Sequence, residues 1–275
     1  MAIRVCVAGV TGWTGSEVTR GVLASEDMML SGAVARTMAG RDVGEVLGLA
    51  EPAGVNIHAS VSDALEAGAD VFIDYTTAEA VKDHVHHAID RGINVVIGTS
   101  GLTADDYDEI DRRARAKGIG VVGGGNFSLT ATMMQHLALV AAEHIPQFEV
   151  VEYAWAEKED VPSGTARELA EKLGDIQKPI QARPINSLHG PQETRGADIN
   201  GVQVHCIRMP GFTLRCEAVF GMKGERLVVS HEAGQSAEPY VSGTLLAARQ
   251  AVTVRGLVRG LDELLFSKDE GPAPS

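Results

Sequence analysis

The sequence predicts an α/β protein: a doubly wound parallel sheet over residues 1–127, then a second α+β domain with a mixed or antiparallel sheet over 128–239. Three observations carry this. Short β-branched runs alternate with amphipathic stretches in the N-terminal half, at lengths that suit right-handed βαβ units. A glycine-rich turn, Gly9-Val-Thr-Gly12-Trp-Thr-Gly15, joins the first strand to the first helix. After residue 127 the rhythm changes to sequential strands separated by short turns.

In order, residues 3–8 read as a buried strand, 16–24 as a helix, 30–35 and 70–74 as strands, and 78–91 as a helix ended by Gly92. Residues 94–98 form a strand, 103–117 a helix capped by Thr103, and 119–122 a strand. The run Gly123-Gly-Gly is a flexible or closely packed hinge. Residues 129–144 are helical and 148–156 a long strand, followed by a helix over 163–173 and a polar stretch over 178–200. Strands over 202–209, 212–220 and 226–231 are separated by Pro210-Gly211 and Lys223-Gly224. A C-terminal helical segment within 240–275, centred on 239–255, is expected to pack back on the first domain ahead of a disordered tail.

Composition bounds the function. With 44% hydrophobic and 22% charged residues the chain is ordinary globular material. A net charge of -13 without a basic block argues against a nucleic-acid partner. No apolar run approaches the roughly 20 residues of a membrane span, and the N-terminus enters a strand without a signal-peptide shape, so a cytoplasmic location is expected. Cys6, Cys206 and Cys216 show no CxxC spacing, which points to free thiols and no metal centre. His84 and His87 lie one helical turn apart but lack a third ligand; a solvated helix face is the simpler reading.

A strand, a Gly-x-x-Gly-x-x-Gly turn and a helix together can hold a pyrophosphate, because glycines allow close approach and the helix N-terminus presents N–H groups. At the end of the second strand, where an acid would grip the ribose of NAD, the chain has Arg36 and Thr37. Both can donate to a 2′-phosphate, which favours NADPH over NADH; the alternative is a solvated Arg36, with Arg41 a reserve cation. The turns Asp74-Tyr75-Thr76 and Gly98-Thr99-Ser100 also fall at strand ends and are placed to line the same crevice. In the second half, Lys158-x-Asp160-x-Pro162-Ser163-Gly164-Thr165 joins a strand to a helix. Its hydroxyls and N–H groups suit a carboxylate, with Lys158 as charge or proton donor; plain N-capping by Ser163 is the competing reading.

These segments in order, with Asn126-Phe127-Ser128 and Gly224-Glu-Arg-Leu227, resemble the 4-hydroxy-tetrahydrodipicolinate (dihydrodipicolinate) reductase family across nearly the whole chain. The resemblance implies a Rossmann-like cofactor domain, a mixed-sheet substrate and oligomerisation domain, and a homotetramer. It implies hydride transfer from NAD(P)H to an unsaturated cyclic dicarboxylate of lysine biosynthesis. Lys158 takes the catalytic lysine's place, and Ser163, Gly164 and Thr165 the substrate carboxylate's. Cofactor contacts fall on Gly9, Thr11, Gly12, Trp13, Thr14, Gly15, Arg36, Thr37, Tyr75, Thr76, Gly98, Thr99, Ser100, Asn126 and Phe127. Substrate contacts fall on Ala154, Trp155, Ser163, Gly164, Thr165 and His205.

The departures are specific. Family members carry a His-His pair before the lysine; here Ala154 and Trp155 stand in those places. Trp13 occupies a position where arginine is usual, and the segment from Gln235 to Tyr240 lacks an arginine common there. Lys158, Tyr153, Glu157 and His205 are candidates for a relocated acid, although His205 and Arg208 equally suit a cross-strand polar pair. If the strand runs through 156, Ala154 and Ala156 share a face with Lys158 and open space beside it. The leading expectation is therefore an NAD(P)H-dependent reductase of a carboxylate-bearing, cyclic imine-like small molecule with an altered substrate site. Two alternatives stand: the lysine-pathway reductase itself with Lys158 as sole acid, and a non-catalytic dinucleotide-binding regulatory protein. An aldehyde-type dehydrogenase would want a nucleophilic cysteine at a strand end, and neither Cys206 nor Cys216 is so placed.

Overall fold

The computed structural model describes residues 2–266. It divides into two compact units, one drawn from Met1–Leu129 and the chain from Ser236 onward, the other from Thr130–Gln235. The first unit runs β1 (Ile3–Ala8), α1 (Trp13–Ala24), β2 (Met28–Val34), α2 (Val43–Leu47), β3 (Ile57–His58), α3 (Val61–Ala64), β4 (Val71–Asp74), α4 (Ala78–Asp90), β5 (Asn94–Ile97), α5 (Ala104–Lys117) and β6 (Gly120–Gly123). The second contains most of α6 (Leu129–Ala142), then β7 (Phe148–Ala154), α7 (Gly164–Ile176), β8 (Ala197–Ile199), β9 (Val202–Arg208), β10 (Leu214–Met222) and β11 (Glu225–Ala233). The chain then rejoins the first unit as α8 (Val241–Ala251), β12 (Gly256–Arg259) and α9 (Leu261–Phe266).

The strands of the first unit form a seven-stranded parallel sheet in the order β12-β6-β5-β4-β1-β2-β3. Its strands are apolar on both faces because both faces are covered. Val5, Val7 and Ile73 pack with Val18 and Val22 of α1 and Ala247 and Ala248 of α8. Cys6, Ala8 and Phe72 point the other way, into a layer with Val81, Val85 and Ile89 of α4 and Ile110 of α5. From β1 the chain winds outward to β2 and β3, then returns to β4 and winds in the opposite direction. The carboxyl ends of β1 and β4 therefore form a topological switch point, where ligands of open α/β sheets bind.

The second unit is a five-stranded mixed sheet ordered β11-β10-β7-β9-β8, with β7 and β9 parallel and the other pairs antiparallel. Phe148, Val150, Cys216 and Ala218 face Met134 and Ala138 of α6 and Leu169 and Leu173 of α7.

Several boundaries differ from expectation. Helix α1 starts at Trp13 rather than near residue 16, because Gly12 takes an extended conformation (φ −81°, ψ 167°) and caps it with backbone alone. The C-terminal segment is not one helix: β12 pairs with β6 and adds a sheet strand. The expected tail, and the end of the 240–275 segment, lie outside the described residues. Strand β7 stops at Ala154, and the chain turns back so that Lys158 N–H donates to the Trp155 carbonyl at 3.3 Å. The pleat therefore does not align Ala156 or Lys158 with Ala154.

Phe72 is fully buried in the α4–α5 layer. Phe72→Ala is expected to cost about 3–5 kcal/mol through lost burial and a residual cavity, read by urea unfolding of the first unit. Met29→Ala, on a half-exposed position of β2, should change stability by no more than about 0.5 kcal/mol.

Candidate functional site

At the switch point Ala8 of β1 lies in register with Asp74 of β4. Gly9 follows at φ +89°, and a Cβ added there would lie 2.0 Å from the Tyr75 carbonyl oxygen. A Cβ on Gly15 would lie 2.1 Å from the Gly9 carbonyl oxygen. Both positions are closed to side chains by backbone. Gly12 N–H donates to the Gly9 carbonyl at 2.8 Å, which closes the turn. No side chain caps α1, so no capping hydroxyl takes up its first N–H groups, which suit an anion.

Asp74 ties the neighbouring turns together. It is completely buried. Its Oδ1 accepts from the Thr76 N–H (3.1 Å), the Thr76 hydroxyl (2.7 Å) and the Thr99 hydroxyl (2.6 Å), and its Oδ2 meets His84 Nδ1 at 2.8 Å. The Tyr75 ring packs where a side chain on Gly98 would sit, and its hydroxyl pairs with Thr244 Oγ1 at 2.7 Å. A cleft of about 430 Å³ results, lined by Gly12, Trp13, Thr14, Tyr75 to Ala78 and Gly98 to Ser100. A smaller one of about 180 Å³, lined partly by the same residues, adds Gly125, Asn126, Phe127 and Tyr240. Trp13 is 60% exposed in these clefts and contacts Tyr240 edge-on, with ring centroids 5.9 Å apart. Glycine positions that a Cβ would fill, a free helix start and a rim of hydroxyls suit a dinucleotide pyrophosphate. Arg36 and Thr37 stand exposed just beyond β2.

The second unit holds the other predicted group. Ser163 caps α7, its hydroxyl accepting from Ala166 N–H at 3.3 Å. Its own N–H donates to both oxygens of Glu152 (3.2 and 3.1 Å). Glu152 is fully buried and also receives Arg208 Nη2 at 2.8 Å; the same Nη2 donates to the Asp160 carbonyl at 2.8 Å. Burial alone would raise the Glu152 carboxyl's pKa, but the Ser163 hydroxyl and N–H and the Arg208 guanidinium outweigh it and hold it below the ordinary range. Lys158 pairs with Asp160 and sits 5.1 Å from the centre of the Trp155 ring. That ion pair depresses the Asp160 carboxyl. Gly164 is exposed and Thr165 half-exposed at the start of the helix.

The structure places Lys158 over Trp155, and Ser163, Gly164 and Thr165 at the start of α7, but Ala154 and His205 join neither group. Ala154 is buried on the helix-covered face of the sheet and lines no open space. His205 is paired across β7 and β9 with Val151, on the opposite face from Glu152, and bonds Glu149 Oε2 at 2.7 Å. It is a cross-strand polar partner, with Arg195 on the same carboxylate. Arg208, three residues on and so on the other face, is the one that reaches the Ser163 turn. Residue spacing gave no signal of the Glu152–Arg208 pair. Burial pushes the thiols of Cys206 and Cys216 up, to about 11 and about 12, so neither is a ready nucleophile.

Comparison with known proteins agrees with both halves. Residues 3–127 match the family model of the dihydrodipicolinate reductase N-terminus, and 128–265 that of its C-terminus. The chain is similar to a 4-hydroxy-tetrahydrodipicolinate reductase of Moorella thermoacetica, 37% identical and covering 96% of this chain and 98% of that protein. One from Mycolicibacterium smegmatis is 32% identical, with 96% and 99% covered. A solved structure, dipicolinate-bound dihydrodipicolinate reductase from Paenisporosarcina sp. TG-14, superposes with a TM-score of 0.87 at 27% identity, covering 96% of this chain and all of that one. An amine dehydrogenase of Mycobacterium smegmatis (TM-score 0.66, 17% identical, 95% and 96% covered) shares the fold.

Because the Glu152 carboxyl is depressed, its contribution to stability is complete above its ordinary value of about 4.3 and is lost as the pH falls through the lower folded value. Glu152→Gln leaves Arg208 charged against a neutral amide and is expected to cost the second unit about 3–5 kcal/mol at pH 7. Urea midpoints of wild type and variant should converge on acidification below about pH 4. A gap that stays constant with pH would contradict the buried pair.

Proposed function

Since this chain belongs to the dihydrodipicolinate reductase family and is an NAD(P)H-dependent oxidoreductase, we propose that it reduces 4-hydroxy-tetrahydrodipicolinate or a close cyclic, carboxylate-bearing relative, preferring NADPH. The observation that carries this reading is the intact turn from Lys158 to Thr165, held from below by Glu152 and Arg208. Ser163 N–H and hydroxyl are already used by Glu152 and the helix cap. The substrate carboxylate would be received at the start of α7, which favours negative charge.

On this reading the Gly9–Gly15 turn would hold NADPH, which would supply the hydride for reduction of a C=N or conjugated C=C bond. Lys158, kept near by Asp160 and Trp155, supplies the proton to the atom at the other end of the reduced bond. The Gly9–Gly15 turn and the hydroxyls of Thr14 and Ser100 would hold the cofactor phosphates, while Thr76 and Thr99, whose hydroxyls donate to Asp74, shape the rim. Asn126 and Phe127 lie at the smaller cleft, and Arg36 with Thr37 receives the 2′-phosphate. A homo-oligomer, tetrameric as in the resemblance, fits the exposed Leu227 and Val228 of edge strand β11.

Ala154 and Trp155 favour a second reading, in which the substrate is a related imine that needs no imidazole acid. Assays of NADPH oxidation separate the two. Under the first, the protein turns over 4-hydroxy-tetrahydrodipicolinate and Lys158→Met lowers kcat by about 10²–10⁴. The double variant Ala154→His/Trp155→His should not be required for that turnover. Under the second, the dicarboxylate is inert and other cyclic imino acids are reduced. Cofactor binding without oxidation by any imine would leave only a regulatory protein.

A further inference from the structure

The histidine face of α4 is not simply solvated. Val81, Val85, Ala88 and Ile89 form the buried stripe of that helix. His84, three residues after Val81 and four before Ala88, stands at the edge of the stripe with its side chain 24% exposed. From there its Nδ1 reaches Asp74 Oδ2 at 2.8 Å. Asp74 is the carboxylate that the first unit buries completely, among the described residues. Its other side-chain partners are neutral and all lie on Oδ1: the Thr76 N–H, the Thr76 hydroxyl and the Thr99 hydroxyl. The one lysine of α4, Lys82, is committed to Asp106 and Glu109 of α5. His84 is therefore the partner on which Oδ2 depends.

A buried carboxylate oxygen left without a donor is costly. The donors able to rotate onto an orphaned Oδ2 are the hydroxyls already on Oδ1, those of Thr76 and Thr99. Both residues line the larger cleft, and the Thr76 N–H also donates to Thr99 Oγ1 at 2.7 Å, so a shift of either hydroxyl disturbs both turns. We infer that His84 is a positioning residue. Through Asp74 it holds the Thr76–Thr99 rim, and it does so as a hydrogen-bond donor, Nδ1–H to Oδ2, rather than as a charge. The neutral ring with hydrogen on Nδ1 presents the same donor to Asp74 as the imidazolium. His84 itself lines neither cleft. The inference rests on the dinucleotide reading of the cleft and adds a residue outside it.

Calorimetry of the whole protein with NADPH, beside nitrogen NMR of the histidine rings, tests this without a reducible substrate. His84→Leu is expected to weaken NADPH about tenfold at unchanged stoichiometry. His84→Asn, whose amide can donate to Oδ2 without charge, should stay within about twofold of wild type. A role confined to stability would instead lower the melting temperature and the binding stoichiometry and leave the Kd alone. In Thr99→Val protein, where the rim has lost one hydroxyl, the effect of His84→Leu should shrink to about twofold or less. The resonances of His84, identified by their loss in His84→Asn, should place hydrogen on Nδ1 in the neutral ring. Equal losses in His84→Leu and His84→Asn would overturn the donor role and make charge decisive. An unchanged Kd in His84→Leu, or hydrogen on Nε2 of the neutral ring, would sink the positioning role altogether. Additive losses with Thr99→Val would rule out the route through the rim. Failure of the wild type to bind either NADPH or NADH would overturn the dinucleotide reading and this inference with it, and that failure is seen before any variant is made.

Discussion

The switch point of the first sheet depends on one steric constraint: the backbone at Gly9 comes so close to the Tyr75 carbonyl that no Cβ fits between them. That approach sets the tight turn from β1 into α1, and Gly15 repeats the condition against the Gly9 carbonyl. Once the backbone is packed this closely, the free helix start, the Tyr75 ring against Gly98 and the Asp74 hub fall into fixed places. Asp74 then matters for order rather than charge. By accepting from Thr76 and Thr99 together it ties the ends of β4 and β5 into one rim.

The second unit is organised by a different kind of contact. A fully buried carboxylate is costly unless paired and hydrogen-bonded, and Glu152 has Ser163 N–H, Arg208 and the Cys206 thiol around it. The arrangement joins β7, β9 and the start of α7 through one group. It also commits the Ser163 N–H to structure.

Much of this was legible in the residues because the signals are local. The glycine spacing, the Thr103 cap and the Ser163 turn each involve residues a few positions apart; the Thr103 cap forms where expected, and Ser163 takes the capping role that stood as the competing reading. The Glu152–Arg208 pair joins residues 56 apart, and the Tyr75–Thr244 bond residues 169 apart; neither leaves a pattern in a window of sequence. The misreading beside Lys158 has a plain cause. Strand alternation extended to Lys158 runs four residues past Ala154, where the chain has already turned. The short strand β12 was missed for a related reason. Gly256-Leu-Val-Arg259 has no alternation of its own and is a strand because β6 offers it an edge.

That returning segment orders events in time. The first unit's core includes Leu245, Ala247, Ala248, Ala251 and Leu261, all encoded after the second unit. On the ribosome, synthesis of the second unit finishes while β6 still shows an unpaired edge carrying Val121 and Val122. A contiguous middle unit can close as soon as it emerges, whereas the first unit must wait for the chain's last stretch. Vectorial synthesis therefore leaves the edge of the N-terminal sheet at β6 to be covered last.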